Sequence, residues 1–294
     1  MRQYSRFMKA HLLKVSNQSL SSFSIRKDIV SYFYNQYHYH PEIELLFIEK
    51  GTGTQFVGDS IQRFQDGDLL LIGSDCPHYL RSDNMYFQGD ENLHVAALVV
   101  HFNPEILGDA FLNLVENRFI LQLLEKSKKG LRIHAKTKDA VVKQMRQMLT
   151  NADQNQILEL FKLMDFLSHS TETELLASRI IENNPNDKET ARLNQIYNYS
   201  AKHFKRKISI EEIAEVAHLS SNSFCRYFKN RTRKHYSHFL NEIRIEYACK
   251  LIKENQFQVT QVCYEAGFNN FPNFNNAFKK ITGKTPLQYS KEFN

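Results

Sequence analysis

The sequence predicts an α+β protein in two parts: a small N-terminal β-barrel or sandwich covered by helices, then an all-α C-terminal module of two similar halves. Three observations carry that expectation. Short strand-like runs between turn residues fill residues 23–102. Apolar residues at three- and four-residue spacings take over from Pro104. Two helical segments about fifty residues apart then repeat one pattern near the end.

The chain is long enough for both parts. Its 294 residues amount to roughly two domains at about 150 residues each. Hydrophobic residues at 42% and charged residues at 24% exclude a disordered, fibrous or collagen-like chain. The longest apolar runs, such as residues 95–100, are strand-sized, far below the ~18 residues of a membrane helix, so no membrane partner is expected. Arg2, Arg6, Lys9 and Lys14 precede no apolar stretch or small-residue cleavage site, so no signal peptide is expected. Cys76, Cys225, Cys249 and Cys263 have neither zinc nor disulfide spacing. The expected location is the cytoplasm.

Within the first part, residues 44–49, 54–57, 61–64, 69–72 and 94–102 are strand-length. Gly51-Thr52-Gly53, Gly58-Asp59-Ser60 and Asp66-Gly67-Asp68 supply turns between them. This domain is placed at residues 1–110. Over residues 111–182 the period becomes helical, through Ile120, Leu123 and Leu124, then Val141, Val142, Met145 and Leu149, then Leu160, Phe161, Met164 and Leu167. These helices are expected to cover one side of the strands. A surplus apolar stripe on them would pair two copies into a homodimer. The polar, proline-broken stretch at residues 183–190 reads as a linker.

Charge divides at the same place. Residues 191–294 hold 17 Lys and Arg against 8 Asp and Glu, a net of +9, whereas residues 1–190 carry a net of −3. A basic module beside a mildly acidic one suggests a polyanion partner for the basic part alone.

The repeat gives that partner a shape. In the first half Ser209 is a helix N-cap, with Glu212 placed as in a capping box. Ile210, Ile213, Ala214 and Ala217 share one face, and His218-Leu219-Ser220 form a short turn. In the next helix Phe224 and Phe228 point inward, leaving Ser221, Asn222, Cys225, Arg226 and Lys229 to face out. The second half substitutes Gly267 for the turn and Asn270 for the cap, with Pro272 in the first helical turn. Phe274 and Phe278 again point inward, and Asn273, Asn275, Asn276 and Lys279 face out. A long amphipathic helix through Phe239, Leu240, Ile243, Tyr247, Leu251 and Ile252 would separate the halves. Paired helices joined by short turns, with amide and guanidinium groups outward, fit the major groove of double-stranded DNA.

Over residues 191–293 the chain resembles the AraC/XylS family of bacterial transcription regulators. The resemblance rests on Gly267-Phe268-Asn269-Asn270 through Phe274, on Phe278-Lys279-Lys280, and on Gly283-Lys284-Thr285-Pro286-Leu287-Gln288-Tyr289. The first half adds Ile213-Ala214, Leu219-Ser220, Arg226 and Phe228-Lys229. It implies a double helix-turn-helix domain at residues 191–294 that reads promoter DNA through the outward residues of each second helix. For an activator it also implies contact with RNA polymerase. Arg233 and Asn276 depart from the family, which often has glycine and arginine there.

The most chemical constellation lies in the first part. His38-Tyr39-His40, then Glu44 and Gly51, then Gly67 and His78 offer three imidazoles and a carboxylate, a donor set for a divalent transition metal. On a strand, His38 and His40 would project to one face. The spacing resembles the two cupin motifs, with Gly73 and Asp75 departing from the second. The AraC/XylS resemblance implies a cupin-like sensor that requires no cofactor and in which such residues mark the pocket of a small-molecule effector, a carbohydrate first among the classes to test. Tyr32, Tyr34, Phe47 and Phe56 are candidate lining residues. The primary expectation is therefore a ligand-responsive, DNA-binding transcription regulator, an activator rather than an enzyme. The alternative is a metal-dependent cupin isomerase or dioxygenase fused to a DNA-binding module.

Overall fold

Strands with both faces apolar must be covered on both sides, and the first unit is built to that rule. The computed structural model describes residues 23–33, 36–150, 155–180, 187–232, 234–255 and 257–293. The chain divides into two units, with the boundary after Asp187.

In the first unit β1 (Phe23–Val30), β2 (Ile43–Lys50), β3 (Gly53–Val57), β4 (Ser60–Phe64), β5 (Leu69–Ile72), β6 (His78–Ser82) and β7 (Val95–Phe102) follow one another. After them come α1 (Asp109–Leu112), α2 (Arg118–Ser127), β8 (Leu131–Ile133), α3 (Ala135–Thr150), α4 (Gln156–Ser168) and β9 (Thr173–Leu175). A six-stranded antiparallel sheet has the order β1-β7-β2-β5-β8-β9, and a three-stranded sheet the order β4-β3-β6. Alternation along the strands makes two cores. Leu46, Ile48, Leu70, Ile72, Ala97 and Val99 meet Val57, Phe64 and Leu80 between the sheets. Leu45, Phe47, Leu69, Leu71, Leu98 and Val100, of the other parity, pack against α2, α3 and α4. Burying each such side chain contributes about 1.5–3 kcal/mol. The five strands expected from the sequence are all present within a residue or two. The two short strands β8 and β9 sit in the stretch whose period reads as helical, where three residues are too few to show alternation.

The second unit is helical: α5 (Asp187–His203), α6 (Ile210–Val216), α7 (Ser221–Thr232), α8 (Tyr236–Lys253), α9 (Val259–Glu265), α10 (Phe271–Thr282) and α11 (Pro286–Ser290). Helix α5 begins inside the stretch read as a linker, whose residues 183–186 lie outside the described residues. Ser209 accepts from the Glu212 backbone and caps α6. The Glu212 carboxylate binds Arg206 and Tyr199, a different use from the capping box its spacing suggests. Asn270 caps α10, and Thr285 and Gln288 form a reciprocal capping box on α11. Among the described residues no helix is long and apolar enough to cross a membrane.

The fifty-residue repeat is physical as well as textual. Phe224 and Phe228 are fully buried against Tyr236 and Phe239, and Phe274 and Phe278 against Phe268 and Tyr289. Thr232 donates to the Phe228 carbonyl and accepts from the Lys234 backbone, and Thr282 does the same with Phe278 and Lys284. Lys234 pairs with Glu242 and Lys284 with Glu292. The turns differ. His218 takes the left-handed conformation at φ 54°, while Gly267 takes it at φ 85° with one more residue before the next helix.

Candidate nucleic-acid interface and buried histidine cluster

Helices α7 and α10 are amphipathic in the same phase. With phenylalanines at i and i+4 buried, Asn222, Cys225 and Arg226 on α7 and Asn273, Asn276 and Lys279 on α10 are exposed, while Ser221 and Asn275 are half-buried. None of the eight residues selected from the sequence is enclosed. Both helices end in cations, Lys229 and Arg231 on α7 and Lys279 and Lys280 on α10, whose charges complement the helix C-termini. Beside α10 a concavity of about 370 Å³ is lined by Asn241, Arg244, Asn269, Asn273, Asn276 and Lys280. Arg244 is held by the carbonyls of Phe204 and Arg206. Asn241 and Arg244 extend the polar surface beyond the residues chosen from the sequence, and Lys280 joins it as a phosphate candidate that the sequence already offered. Asn241 and Arg244 come from α8, where the repeat gives no clue to them. Arg233 lies outside the described residues.

In the first unit His38, His40, Glu44 and His78 come together, with one ligand-type atom from each lying within 4.8 Å of the others. The elements differ from expectation. Residues 38–40 form no strand: His38 makes a single bridge to His78, and His40 lies in the segment leading to β2. Pro41 follows directly and has no N–H to donate to a ladder. The side chains converge all the same, because backbone hydrogen bonds join His38 to His78 in both directions at 3.0 and 2.8 Å. Glu44 has the parity of Leu46 and Ile48, so it stands at one end of the core between the sheets.

Each of these three rings is oriented by a carbonyl. His38 Nδ1 donates to Gln36 O at 2.8 Å, His40 Nδ1 to Glu42 O at 2.8 Å, and His78 Nδ1 to Cys76 O at 2.9 Å. A carbonyl only accepts, so the hydrogen of each ring sits on Nδ1. The Nε2 atoms of His40 and His78 then face one Glu44 carboxylate oxygen at 3.3 and 3.1 Å. Lone pairs converging on a carboxylate require a positive species between them, a proton or a metal ion.

The electrostatics follow from the same crowding. Burial and the neighbouring His78 push the His38 pKa down to about 3. Burial opposes charge on His40, but the hydrogen bond and charge of Glu44 outweigh it and raise its pKa. Burial also opposes the Glu44 carboxylate, yet His101, His40 and His78 hold it well below the usual range. His101 was not selected from the sequence. It lies on β7 directly across from Glu44, 3% exposed, with Nε2 3.4 Å from the carboxylate. Its parity with Val95, Ala97 and Val99 in an expected strand is the signal that would have found it.

The aromatic lining expected for the pocket is corrected. Phe47 belongs to the core against the helices, and Phe56 stacks on Tyr79 on the opposite face of β3 from Val57. Tyr32 is 43% exposed and stacks on Phe87, and Tyr34 lies outside the described residues. The side chains between the sheets are instead aliphatic for the most part, with Phe33 and Phe64 among them.

Comparison with known proteins accounts for both units. A family model described as an AraC-like ligand binding domain matches residues 21–180, and one described as a helix-turn-helix domain matches residues 213–292. The uncharacterized HTH-type transcriptional regulator YdeC of Bacillus subtilis is 25% identical over 268 residues, covering 86% of this chain and 85% of that protein. The HTH-type transcriptional activator RhaS of an Enterobacter species is 25% identical over 264 residues, covering 85% and 86%. Among solved structures, ToxT from Vibrio cholerae O395 is 16% identical and covers 93% of this chain and 100% of its own, with a TM-score of 0.35.

Proposed function

The chain belongs to the AraC-type transcription regulators, with a ligand-binding and a helix-turn-helix DNA-binding domain, and from that premise we propose which residues do the work. Ser221, Asn222, Cys225 and Arg226 of α7 and Asn273, Asn275, Asn276 and Lys279 of α10 meet DNA. Arg226 and the asparagines read base edges, and Lys279 takes a phosphate. The observation that carries this is the matched phase of the two helices, each with its phenylalanines buried and its amide and cationic groups outside. The protein acts in the cytoplasm as a homodimer, turns over no substrate, and activates transcription by contact with RNA polymerase at its promoter. Its divisions are an effector domain at 1–110, a covering and dimerising segment at 111–182, a linker at 183–190 and the DNA-binding domain at 191–294.

The effector enters at the end of the core between the sheets marked by His38, His40, Glu44 and His78. These four residues also fit a divalent transition metal: three imidazoles with Nδ1 tied to carbonyls and one carboxylate are the donors such an ion takes. When bound, the ion would supply a Lewis-acidic anchor for oxygen atoms of an effector. A small hydroxylated molecule, a carbohydrate first, is the class to test.

Binding of the purified full chain to its own upstream DNA tests the first assignment. Arg226→Ala is expected to cost about 1–3 kcal/mol and to relax preference at one base pair. An unchanged sequence profile would reject Arg226 as a reader. Elemental analysis tests the second: near-stoichiometric first-row metal in the full chain, lost in His40→Ala, supports the metal, and its absence after growth and purification with added metal rejects it.

A further inference from the structure

The fourth imidazole of the cluster is wired in the opposite sense from the other three. His101 Nδ1 lies 2.9 Å from a terminal nitrogen of Arg26. A guanidinium has five donors and no acceptor, so Nδ1 of His101 accepts and the ring hydrogen sits on Nε2. The guanidinium is itself fixed, since Arg26 Nε donates to both carboxylate oxygens of Asp28, at 2.9 and 3.1 Å. Arg26 lies across from Val99 on β1, two residues from His101 on the same face of the sheet. The Nε2 atom of His101 is buried 3.4 Å from Oε2 of Glu44, in charge contact with the carboxylate but without a completed hydrogen bond. A chain of four side chains, Asp28, Arg26, His101 and Glu44, thus runs from β1 across β7 to β2.

We infer that Arg26 and His101 are positioning residues that aim Glu44 into the cluster, and that His101 is excluded from the metal's ligand set by its tautomer. His40 and His78 turn hydrogen-free Nε2 atoms toward Oε2 of Glu44, whereas His101 turns its ring hydrogen toward the same oxygen from 3.4 Å. The site therefore binds its ion through three imidazoles and one carboxylate, the residues whose ligand-type atoms lie within 4.8 Å of one another. The metal half of this statement rests on the metal reading above; the tautomer half stands without it.

The test separates the two. Long-range nitrogen–proton correlation spectra of the metal-free full chain, labelled with ¹⁵N-histidine and recorded at pH 8, report the tautomer of each ring, with His101 assigned through His101→Gln. The expected result is hydrogen on Nε2 of His101 and on Nδ1 of His38, His40 and His78. Hydrogen on Nδ1 of His101 overturns the proposal whether or not a metal binds. Cobalt(II) titration then reads the consequence. His101→Leu is expected to keep one ion per chain at about 10–100-fold lower affinity, with His101→Gln, which retains an N–H donor, recovering most of the loss. Arg26→Met should weaken binding likewise, and Arg26→Lys, which can still donate to Nδ1, should recover it. Loss of the ion from His101→Leu, with the fold intact by circular dichroism, would make His101 a ligand and overturn the proposal, as would unchanged affinity. Should the wild-type chain take up no cobalt, the metal reading fails and the spectra alone decide the roles of Arg26 and His101.

Discussion

Enclosing three imidazoles and a carboxylate within 4.8 Å makes the first unit's stability depend on pH. The unfolded chain binds a proton at His38 near pH 6.5, but the folded chain does so only near pH 3. Between those values the unfolded state holds the extra proton, so stability falls with pH by about 1.4 kcal/mol per unit. Glu44, depressed below its ordinary value, adds a further loss below about pH 4.5, its unperturbed range. His40 is raised and acts oppositely: its contribution is complete below the unfolded value and fades as pH rises through the folded one. Thermal melting of the full chain from pH 4 to 9 should show a maximum near pH 6–7 and a steep acid limb. His38→Asn, which removes the group that must stay neutral, should flatten that limb between pH 4 and 6; an unaltered limb would reject the assignment. Residue identity was legible in the sequence here because ligand-type side chains announce themselves by spacing. Alternation along β7 could place His101 on the inner face, but its pairing with Glu44 and Arg26 comes from register across β1, β7 and β2, which no local pattern encodes.

Among the elements, the two turns that place α7 and α10 solve one problem with different residues. At Gly267 a Cβ atom would lie 2.4 Å from the Phe204 carbonyl and 2.8 Å from Lys205 Cα, both backbone atoms that cannot step aside. Gly267→Ala therefore meets a steric clash in addition to the left-handed φ, and a loss of about 2–4 kcal/mol is expected in chemical denaturation, with α10 displaced. His218 holds the same conformation without glycine, at a backbone cost of about 1 kcal/mol. His218→Gly should recover up to that amount, less the added freedom of the unfolded chain. A destabilised His218→Gly would mean the imidazole contributes more than its backbone costs. The helices themselves were readable from apolar spacing, caps and glycine. What was not readable was the added use of α8, whose Asn241 and Arg244 reach the concavity beside α10, because a long helix shows its core stripe in sequence and leaves its polar face unassigned.

At the scale of the whole molecule the charge division carries the argument. A net of +9 over residues 191–294, against −3 over the rest, confines the attraction for a polyanion to the helical unit and lets the first unit contribute little to it. If about four to five phosphates are neutralised, the affinity of the full chain for its upstream DNA should fall about 10²–10³-fold between 50 and 200 mM salt. The two kinds of outward residue then separate cleanly. Lys279→Ala, removing a phosphate contact, should weaken binding to all sequences alike and make the logarithmic salt slope shallower by about one. Arg226→Ala should change the sequence profile, and Asn276→Ala should change it while leaving the slope intact, because a neutral amide releases no counterion. A salt slope unaltered by Lys279→Ala, with sequence preference changed instead, would exchange the roles of α10's cation and its asparagines and move the phosphate path to the other side of that helix.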